Sequence, residues 1–124
     1  MTLILLSLET VLKIHDEVLN PGELQGLAGD KSLDGALARV ENRLVFGLLA
    51  DGFDLSAAYA VAIAQGHCFN DGNKRTAYRV MLTCLDLHGI ACTLNAHTIG
   101  PVIIRAAQRL LDEGELAHWL RQRL

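Results

Sequence analysis

The sequence has few aromatic residues, only two prolines and no excess of positive charge. Aromatic side chains make up 5% of the 124 residues, whereas hydrophobic residues together make up 51%. The core must therefore consist mainly of Leu, Ala, Val and Ile, a composition typical of packed helices rather than of a β-sandwich. The formal net charge is -3. The broad basic surface that drives nucleic-acid binding is missing, so we expect no direct DNA binding.

Long apolar runs are also absent. None approaches the roughly 20 residues that a membrane-spanning helix requires. The apolar start at 1–8 lacks the basic region and small-residue cleavage site of a signal peptide. The chain has three cysteines, an odd number without the spacing of a disulfide framework, which fits a reducing compartment. We therefore expect a cytoplasmic protein with no membrane partner.

Apolar residues recur every three or four positions, which predicts a mostly α, single-domain fold of about six helices spanning residues 1–124. The predicted helices begin at or near Ser7, Ser32, Asp54, Asn73, Asn95 and Asp112. Many alanines in the third helix favour a central position. The segment 90–94 is short enough to be a strand or an extended connector. Glycines in segment 20–30 predict a mobile loop that few side chains hold in place.

The start of the predicted fourth helix carries positive charges, which are unfavourable at a helix N-terminus. Lys74 and Arg75 lie in its first turn, where unpaired N–H groups and the helix dipole already produce a positive potential. A bound phosphate would offset these charges. Gly72 and Asn73 can adopt the conformations that turn backbone N–H groups toward an anion. The sequence therefore predicts a phosphate site at Gly72, Asn73, Lys74 and Arg75.

Two further side chains complete this segment chemically. Asp71 precedes the phosphate site so closely that a cation must separate the like charges, and its hard oxygen ligands suit Mg²⁺. His67 follows the preceding helix, and histidine is suited at neutral pH to taking a proton from a hydroxyl. We expect Phe69 to point into the core and anchor the loop. These are the parts of a phosphoryl or nucleotidyl transfer site. The plain alternative is a polar interhelical loop followed by a solvated basic helix start.

The nine residues HCFNDGNKR resemble the signature of the Fic/Doc superfamily, H-x-F-x-[D/E]-G-N-[G/K]-R, and specifically that of the death-on-curing (Doc) toxins. The fixed positions are all met, by His67, Phe69, Asp71, Gly72, Asn73, Lys74 and Arg75. The segments 14–17 and 32–39 also look like Doc helices, and the likeness covers most of the chain, weakest after about Leu94. The resemblance implies a helical bundle with a short flap.

The resemblance also implies roles for the motif residues. His67 would be the catalytic base, Asp71 would bind Mg²⁺, Gly72 and Asn73 would form the anion nest, and Arg75 would contact the phosphates of ATP. One turn after Arg75, Arg79 is either a second phosphate contact or an exposed salt-bridging arginine.

The subtype depends on three positions. Lys74 and Cys68 are like the Doc branch, whereas members that transfer AMP usually have Gly and Pro there. Doc-type chemistry is phosphoryl transfer to a threonine of elongation factor Tu, which blocks translation. Gly72 departs from the prototype Doc toxin, which has Ala, and matches the AMP-transferring branch. Protein adenylyl transfer therefore stays the alternative.

The resemblance has consequences for partners. The loop Pro21–Gly29 lies where the family has a flap that pairs with an extended segment of the target, although an ordinary flexible connector would have the same sequence. No Ser or Thr is followed four residues later by Glu, the pattern of the inhibitory helix in some Fic enzymes. Restraint would then come from another chain, a Phd-like antitoxin whose C-terminal helix lies in a groove of the toxin.

A non-enzymatic alternative is a zinc-stabilised helical binding module. Its candidate ligands are Cys84, His88, Cys92 and His97. Cys84 and His88 share a helix face, but the order lacks the paired Cys-x-x-Cys knuckles of structural zinc sites.

Overall fold

The structure is a computed structural model that describes residues 2–124. It contains six helices, namely α1 Leu8–Val18, α2 Leu33–Val45, α3 Gly52–Gly66, α4 Asn73–Leu87, α5 Ala96–Ala107 and α6 Glu113–Arg123. Within the described residues, β-pairing is limited to one isolated bridge, between Leu27 and Phe69. The prediction of a mostly α fold is confirmed, and segment 90–94 is the extended connector rather than a strand. No helix within residues 2–124 is both long and apolar enough to cross a bilayer.

Helix α3 lies at the centre of the bundle, as its alanine content predicts. It packs against α2, α4, α5 and α6. Ala57, Ala58 and Ala60 are all buried although they point to different sides of the helix. Small side chains let neighbouring helices approach closely on several faces. Because α4 follows α3 directly and packs along it, the loop between them lies at one end of this central pair.

Four of the predicted helix starts are confirmed by side-chain caps, and the start of α3 is not. Asp54 was predicted to cap it, but α3 begins one turn earlier, at Gly52, and Asp51 accepts the Asp54 N–H at 3.0 Å. Gly52 lies against α4, since a Cβ there would come within 2.6 Å of the Cβ of His88. The Asp51 cap marks the start of the helix, and the Asp54 carboxylate instead accepts the Ala50 N–H.

The candidate zinc ligands do not form a metal site. Residues 2–124 contain no group of three or more His, Cys, Asp or Glu side chains that could hold a metal ion. His88 Nδ1 donates to the Cys84 carbonyl at 2.7 Å, and its Nε2 accepts the Ile4 N–H at 2.9 Å. The Cys92 thiol donates to the Leu94 carbonyl. The zinc-stabilised alternative is therefore not supported, because these residues form no metal-binding group and the backbone already pairs with both ring nitrogens of His88 and with the Cys92 thiol.

Candidate active site

The predicted site residues lie in the loop 67–72 between α3 and α4, which we call the motif loop, and in the first turn of α4. His67 ends α3 in the left-handed conformation, with φ 49° and ψ 40°, and its side chain is exposed. Cys68 and Phe69 then turn inward and are 1% and 2% exposed. The prediction that Phe69 anchors the loop in the core is confirmed. A non-glycine residue held at positive φ is strained, and such strain is often found at functional sites.

The side chain of Asn73 closes the motif loop. Its Oδ1 accepts the Phe69 N–H at 3.0 Å and its Nδ2 donates to the Phe69 carbonyl at 2.9 Å. Both polar atoms of the amide are therefore occupied by the backbone. Any contribution of Asn73 to anion binding comes from its backbone N–H.

Helix α4 begins without a side-chain cap. Its N-cap is Gly72, at φ 79°, with no side-chain hydrogen bond, whereas the other five helices are capped by Ser7, Ser32, Asp51, Asn95 and Asp112. The first intrahelical bond is donated by the Thr76 N–H to the Gly72 carbonyl. The N–H groups at 73–75 thus have no acceptor within the described residues. Unpaired N–H groups at the positive end of a helix dipole are suited to binding an anion.

Asp71 presents a carboxylate beside these N–H groups. Its Oδ2 accepts the Leu24 N–H at 2.7 Å, and its Oδ1 accepts no hydrogen bond within residues 2–124. Mg²⁺ is commonly held by one or two carboxylates together with substrate phosphates rather than by a complete protein cage. The single half-buried carboxylate next to free helix N–H groups fits that coordination, and Asp71 would supply the protein ligand.

The three cationic side chains near the start of α4 differ in their exposure and in their partners. Lys74 is exposed and has no carboxylate partner in the part of the chain that the structure describes. Arg75 donates to the Val18 carbonyl at 2.6 Å and forms a salt bridge with Glu23. The Arg75 guanidinium and the Asn20 N–H hold the pKa of the Glu23 carboxyl below its usual value. Arg79 is exposed and, among residues 2–124, forms no salt bridge, so the salt-bridging alternative is not observed.

The loop Pro21–Gly29, which we call the flap, is bound to the motif loop. The Ala28 N–H donates to the Cys68 carbonyl at 2.8 Å, and the Asn70 N–H donates to the Gly26 carbonyl at 3.1 Å. The Asn70 side chain also donates to the Gln25 carbonyl at 2.9 Å. Few of the flap's own side chains hold it, as predicted, but these hydrogen bonds join its main chain to the motif loop. Most of its anchoring bonds involve the backbone, which residue types do not reveal.

Sequence reasoning missed two residues at this site, His15 and Glu23. His15 is 1% exposed, its Nε2 lies 2.7 Å from the Asp71 carbonyl oxygen, and its ring stacks on Phe69. The available signal was its place on the apolar stripe of α1, one turn after Val11. Glu23 carries no comparable signal, because a charged residue in a glycine-rich loop is ordinarily solvated.

A cleft runs from the start of α4 along α5. One part, of about 180 Å³, is lined by Lys74, Arg75, Tyr78, Ala96, Gly100, Ile103 and Ile104. A second part, of about 290 Å³, is lined by Glu17, Val18, Arg75, Tyr78, Arg79 and Ala96. The two parts share Arg75 and Tyr78, so they form one continuous surface. Its floor is apolar, and three cationic side chains lie along its side.

Comparison with known proteins agrees with this geometry. A family described as Fic/DOC family matches residues 5–85, which include α1 to α3, the motif loop and most of α4. The chain is also similar to "Protein kinase doc" of Escherichia phage P1, with 30% identity over 118 residues that cover 94% of this chain and 93% of the relative.

Proposed function

Because the chain belongs to the Fic/DOC family, we propose that it is the toxin of a toxin–antitoxin pair and transfers a phosphoryl group from ATP to a hydroxyl side chain of a target protein. The phage relative is a protein kinase by name and matches nearly the whole chain. The observation that carries the proposal is the uncapped start of α4, with its free N–H groups next to the Asp71 carboxylate and the exposed His67.

The proton of the target hydroxyl passes to a ring nitrogen of His67. The hydroxyl oxygen forms the new bond to the γ-phosphorus as the bond from that phosphorus to the bridging oxygen breaks, and ADP leaves. His67 supports this role because its side chain is exposed and accepts no hydrogen bond within residues 2–124. Its backbone has the left-handed conformation, and its side chain stays exposed where the next two residues are buried.

The start of α4 holds the phosphates. The backbone N–H groups of residues 73–75 point along the helix axis toward the ligand, and Lys74 adds a flexible positive charge. Bound Mg²⁺ would neutralise part of the negative charge of the phosphates. Asp71 would hold it through Oδ1. Arg75 is held by the Val18 carbonyl and by Glu23, so a contact with the phosphates would compete with this salt bridge.

Adenylyl transfer is the second candidate, and Gly72 is the observation that favours it. The residue matches the AMP-transferring branch, and its φ of 79° together with the proximity of Leu19 disfavours any side chain at this position. Lys74 favours phosphoryl transfer, since that branch usually has Gly there. The mass added to the target separates the two chemistries.

The flap supports binding of the target as an added strand. One side of it is bonded to the motif loop through the bridge between Leu27 and Phe69. Leu24 and Leu27 are 64% and 47% exposed on the flap. An extended peptide paired with its outer side would lie beside the motif loop, which is where a hydroxyl must reach His67. By resemblance the target is elongation factor Tu, and its modification stops translation.

The cleft between α4 and α5 supports binding of an antitoxin helix. Exposed Ile104 and partly buried Tyr78 offer an apolar floor, and the cations at 74, 75 and 79 favour acidic residues on the bound helix. A Phd-like antitoxin placed there would also cover Arg75. Leu116 and Leu120 of α6 are completely buried, so these two side chains pack in the core of the bundle.

The test is to incubate the protein with ATP, Mg²⁺ and purified elongation factor Tu, followed by intact-mass measurement of the target. We expect the mass of one phosphate to be added by the wild type and none by His67→Ala. His97→Ala is the matched control, because His97 is also an exposed histidine, at the start of α5, outside the motif loop. Addition of AMP would establish the alternative. No added mass on elongation factor Tu or on any protein of a bacterial extract would refute both activities.

A further inference from the structure

We propose that His15 of α1 is a positioning residue of the active site, which holds the main chain of Asp71 and the ring of Phe69. The inference rests on the proposed function and adds to it a residue outside the motif loop. His15 touches neither of the substrates and acts only through the loop that it supports.

The imidazole of His15 is completely enclosed between α1 and the motif loop. Its side chain is 2% exposed, and its ring lies parallel to that of Phe69, with the centroids 3.7 Å apart and the planes 8° apart. A buried polar ring is costly unless its hydrogen-bonding groups are paired. The pairing therefore restricts where the two rings and the loop can lie.

The hydrogen bond to the loop has a defined direction. His15 Nε2 lies 2.7 Å from the carbonyl oxygen of Asp71, and a carbonyl can only accept, so Nε2 carries the hydrogen. The other ring nitrogen faces the largely exposed carboxylate of Asp16, with Nδ1 and Oδ1 3.8 Å apart. The motif loop thus supplies the close partner of this ring.

This bond orients the peptide that joins Asp71 to Gly72. On one side of that peptide is the carboxylate proposed to bind Mg²⁺, and on the other is the start of α4. The same end of α1 also holds Arg75 through the Val18 carbonyl. If the Asp71 carbonyl lost its donor, the peptide could rotate and displace both the carboxylate and the first N–H groups of the helix. Displacements of about 1 Å are enough to slow a positioned reaction by about a hundredfold.

Two substitutions separate positioning from simple filling of the core. His15→Phe keeps a flat ring that can stack on Phe69 but removes the N–H donor. His15→Gln loses the ring but can place an amide N–H near the position of Nε2. If His15 positions the loop, kcat falls by about tenfold to a hundredfold in His15→Phe and is largely restored in His15→Gln. If the ring only fills space, the order is reversed.

The matched control is His88, at the far end of α4, whose ring also donates a hydrogen bond to a backbone carbonyl, that of Cys84, and in addition accepts the Ile4 N–H. We expect His88→Phe and His88→Gln to lower thermal stability and to leave kcat within about twofold of the wild type. Amide hydrogen exchange of segment 68–72 is measured in parallel. It should be faster in His15→Phe than in the wild type or in His15→Gln.

The outcomes are distinct. A wild-type kcat in His15→Phe, or a kcat lower in His15→Gln than in His15→Phe, overturns the inference and leaves the proposed function intact. If the wild type modifies no protein, the proposed function fails, and hydrogen exchange alone decides the role of His15. Equal exchange of segment 68–72 in the variants and in the wild type would then overturn the inference. If His15→Phe does not fold, His15→Asn replaces it, because the shorter amide of Asn does not reach the Asp71 carbonyl. A kcat of His15→Asn equal to that of His15→Gln would then overturn the inference.

Discussion

Arg75 of α4 and Glu23 of the flap form a salt bridge beside the start of α4. The same guanidinium donates to the Val18 carbonyl at the end of α1. The flap therefore occupies the cation that the family resemblance assigns to the nucleotide phosphates. Binding of a phosphate to Arg75 and pairing of Arg75 with the flap compete for one side chain.

Removal of the Glu23 charge should favour the nucleotide. In Glu23→Gln, Arg75 no longer has an ionised partner that competes with the phosphates. We expect the KM for ATP to fall by about threefold, which corresponds to the free energy of a partly exposed salt bridge. Initial rates over a range of ATP concentrations provide the measurement. Glu17→Gln removes an exposed charge from the same cleft without breaking a salt bridge and should change KM less. Equal effects of the two substitutions would show that the pairing itself is unimportant.

A side chain at Gly72 should impair both folding and activity. Its φ is 79°, and an added Cβ would lie 3.3 Å from Leu19 Cδ2. We expect Gly72→Ala to lower the free energy of unfolding by about 1–2 kcal/mol and to reduce kcat, because the start of α4 must move. Urea unfolding and the transfer assay measure the two effects.

Gly100→Ala is the control for that substitution. Gly100 lies inside α5 with no atom within 4 Å of an added Cβ, so the change should stabilise the protein by up to about 1 kcal/mol. A Gly72→Ala protein as stable and active as the wild type would contradict the tight fit at the start of α4.

The amide of Asn73 should be required for the shape of the motif loop. Asn73→Ala leaves the N–H and the carbonyl of Phe69 without partners, and we expect a loss of about 1–3 kcal/mol in the free energy of unfolding. Asn73→Asp retains the acceptor and adds a negative charge at the phosphate site, so it should be more stable than Asn73→Ala yet bind ATP more weakly. Urea unfolding and calorimetric titration with ATP give the two quantities.

Asn95 provides the comparison, because its side chain caps α5 by accepting the Thr98 N–H. Asn95→Asp preserves that cap and should leave ATP affinity unchanged. If Asn73→Asp and Asn95→Asp bound ATP equally well, Asn73 would not lie near the phosphates.

A salt bridge between α6 and α3 should make stability depend on pH. Arg121 contacts Asp51 at 2.9 Å and Asp54 at 2.7 Å. Burial alone would raise the pKa of Asp51. The hydrogen bonds from the Asp54 N–H and from Arg121 lower it by more, so the pKa lies below its ordinary value of 3.8. The stabilisation is therefore fully present above 3.8 and is lost as the pH falls through the lowered pKa of the folded state.

Arg121→Gln should thus cost about 1 kcal/mol at neutral pH, and the difference from the wild type should shrink in acid below the pKa of Asp51. Urea unfolding of the wild type and of Arg121→Gln, at neutral pH and at a pH below the pKa of Asp51, provides the comparison. Arg123→Gln is the control, because Arg123 lies over the Trp119 ring, 4.4 Å from its centroid, and forms no salt bridge within residues 2–124. A difference for Arg121→Gln that persists unchanged in acid would contradict this assignment.

The helices were predictable because their determinants are local. Apolar spacing, capping residues and glycines recur within one or two turns, and four of the caps are the predicted residues. The start of α3 was mistaken because two aspartates one turn apart are both suited to capping it, and Asp51 rather than Asp54 accepts a helix N–H. The chain between His67 and Arg75 was recognisable for the same local reason, since all of its fixed residues are contiguous.

The sequence by itself determined the helical class, the motif loop and the family, because periodicity and a contiguous motif are properties of neighbouring residues. Tertiary structure alone decided that His15 supports Asp71, that Glu23 pairs with Arg75 and that the flap is bonded to the motif loop. Each of these contacts joins residues 40 or more positions apart. Such contacts depend on how α1 packs against α4, and on backbone groups that every residue carries.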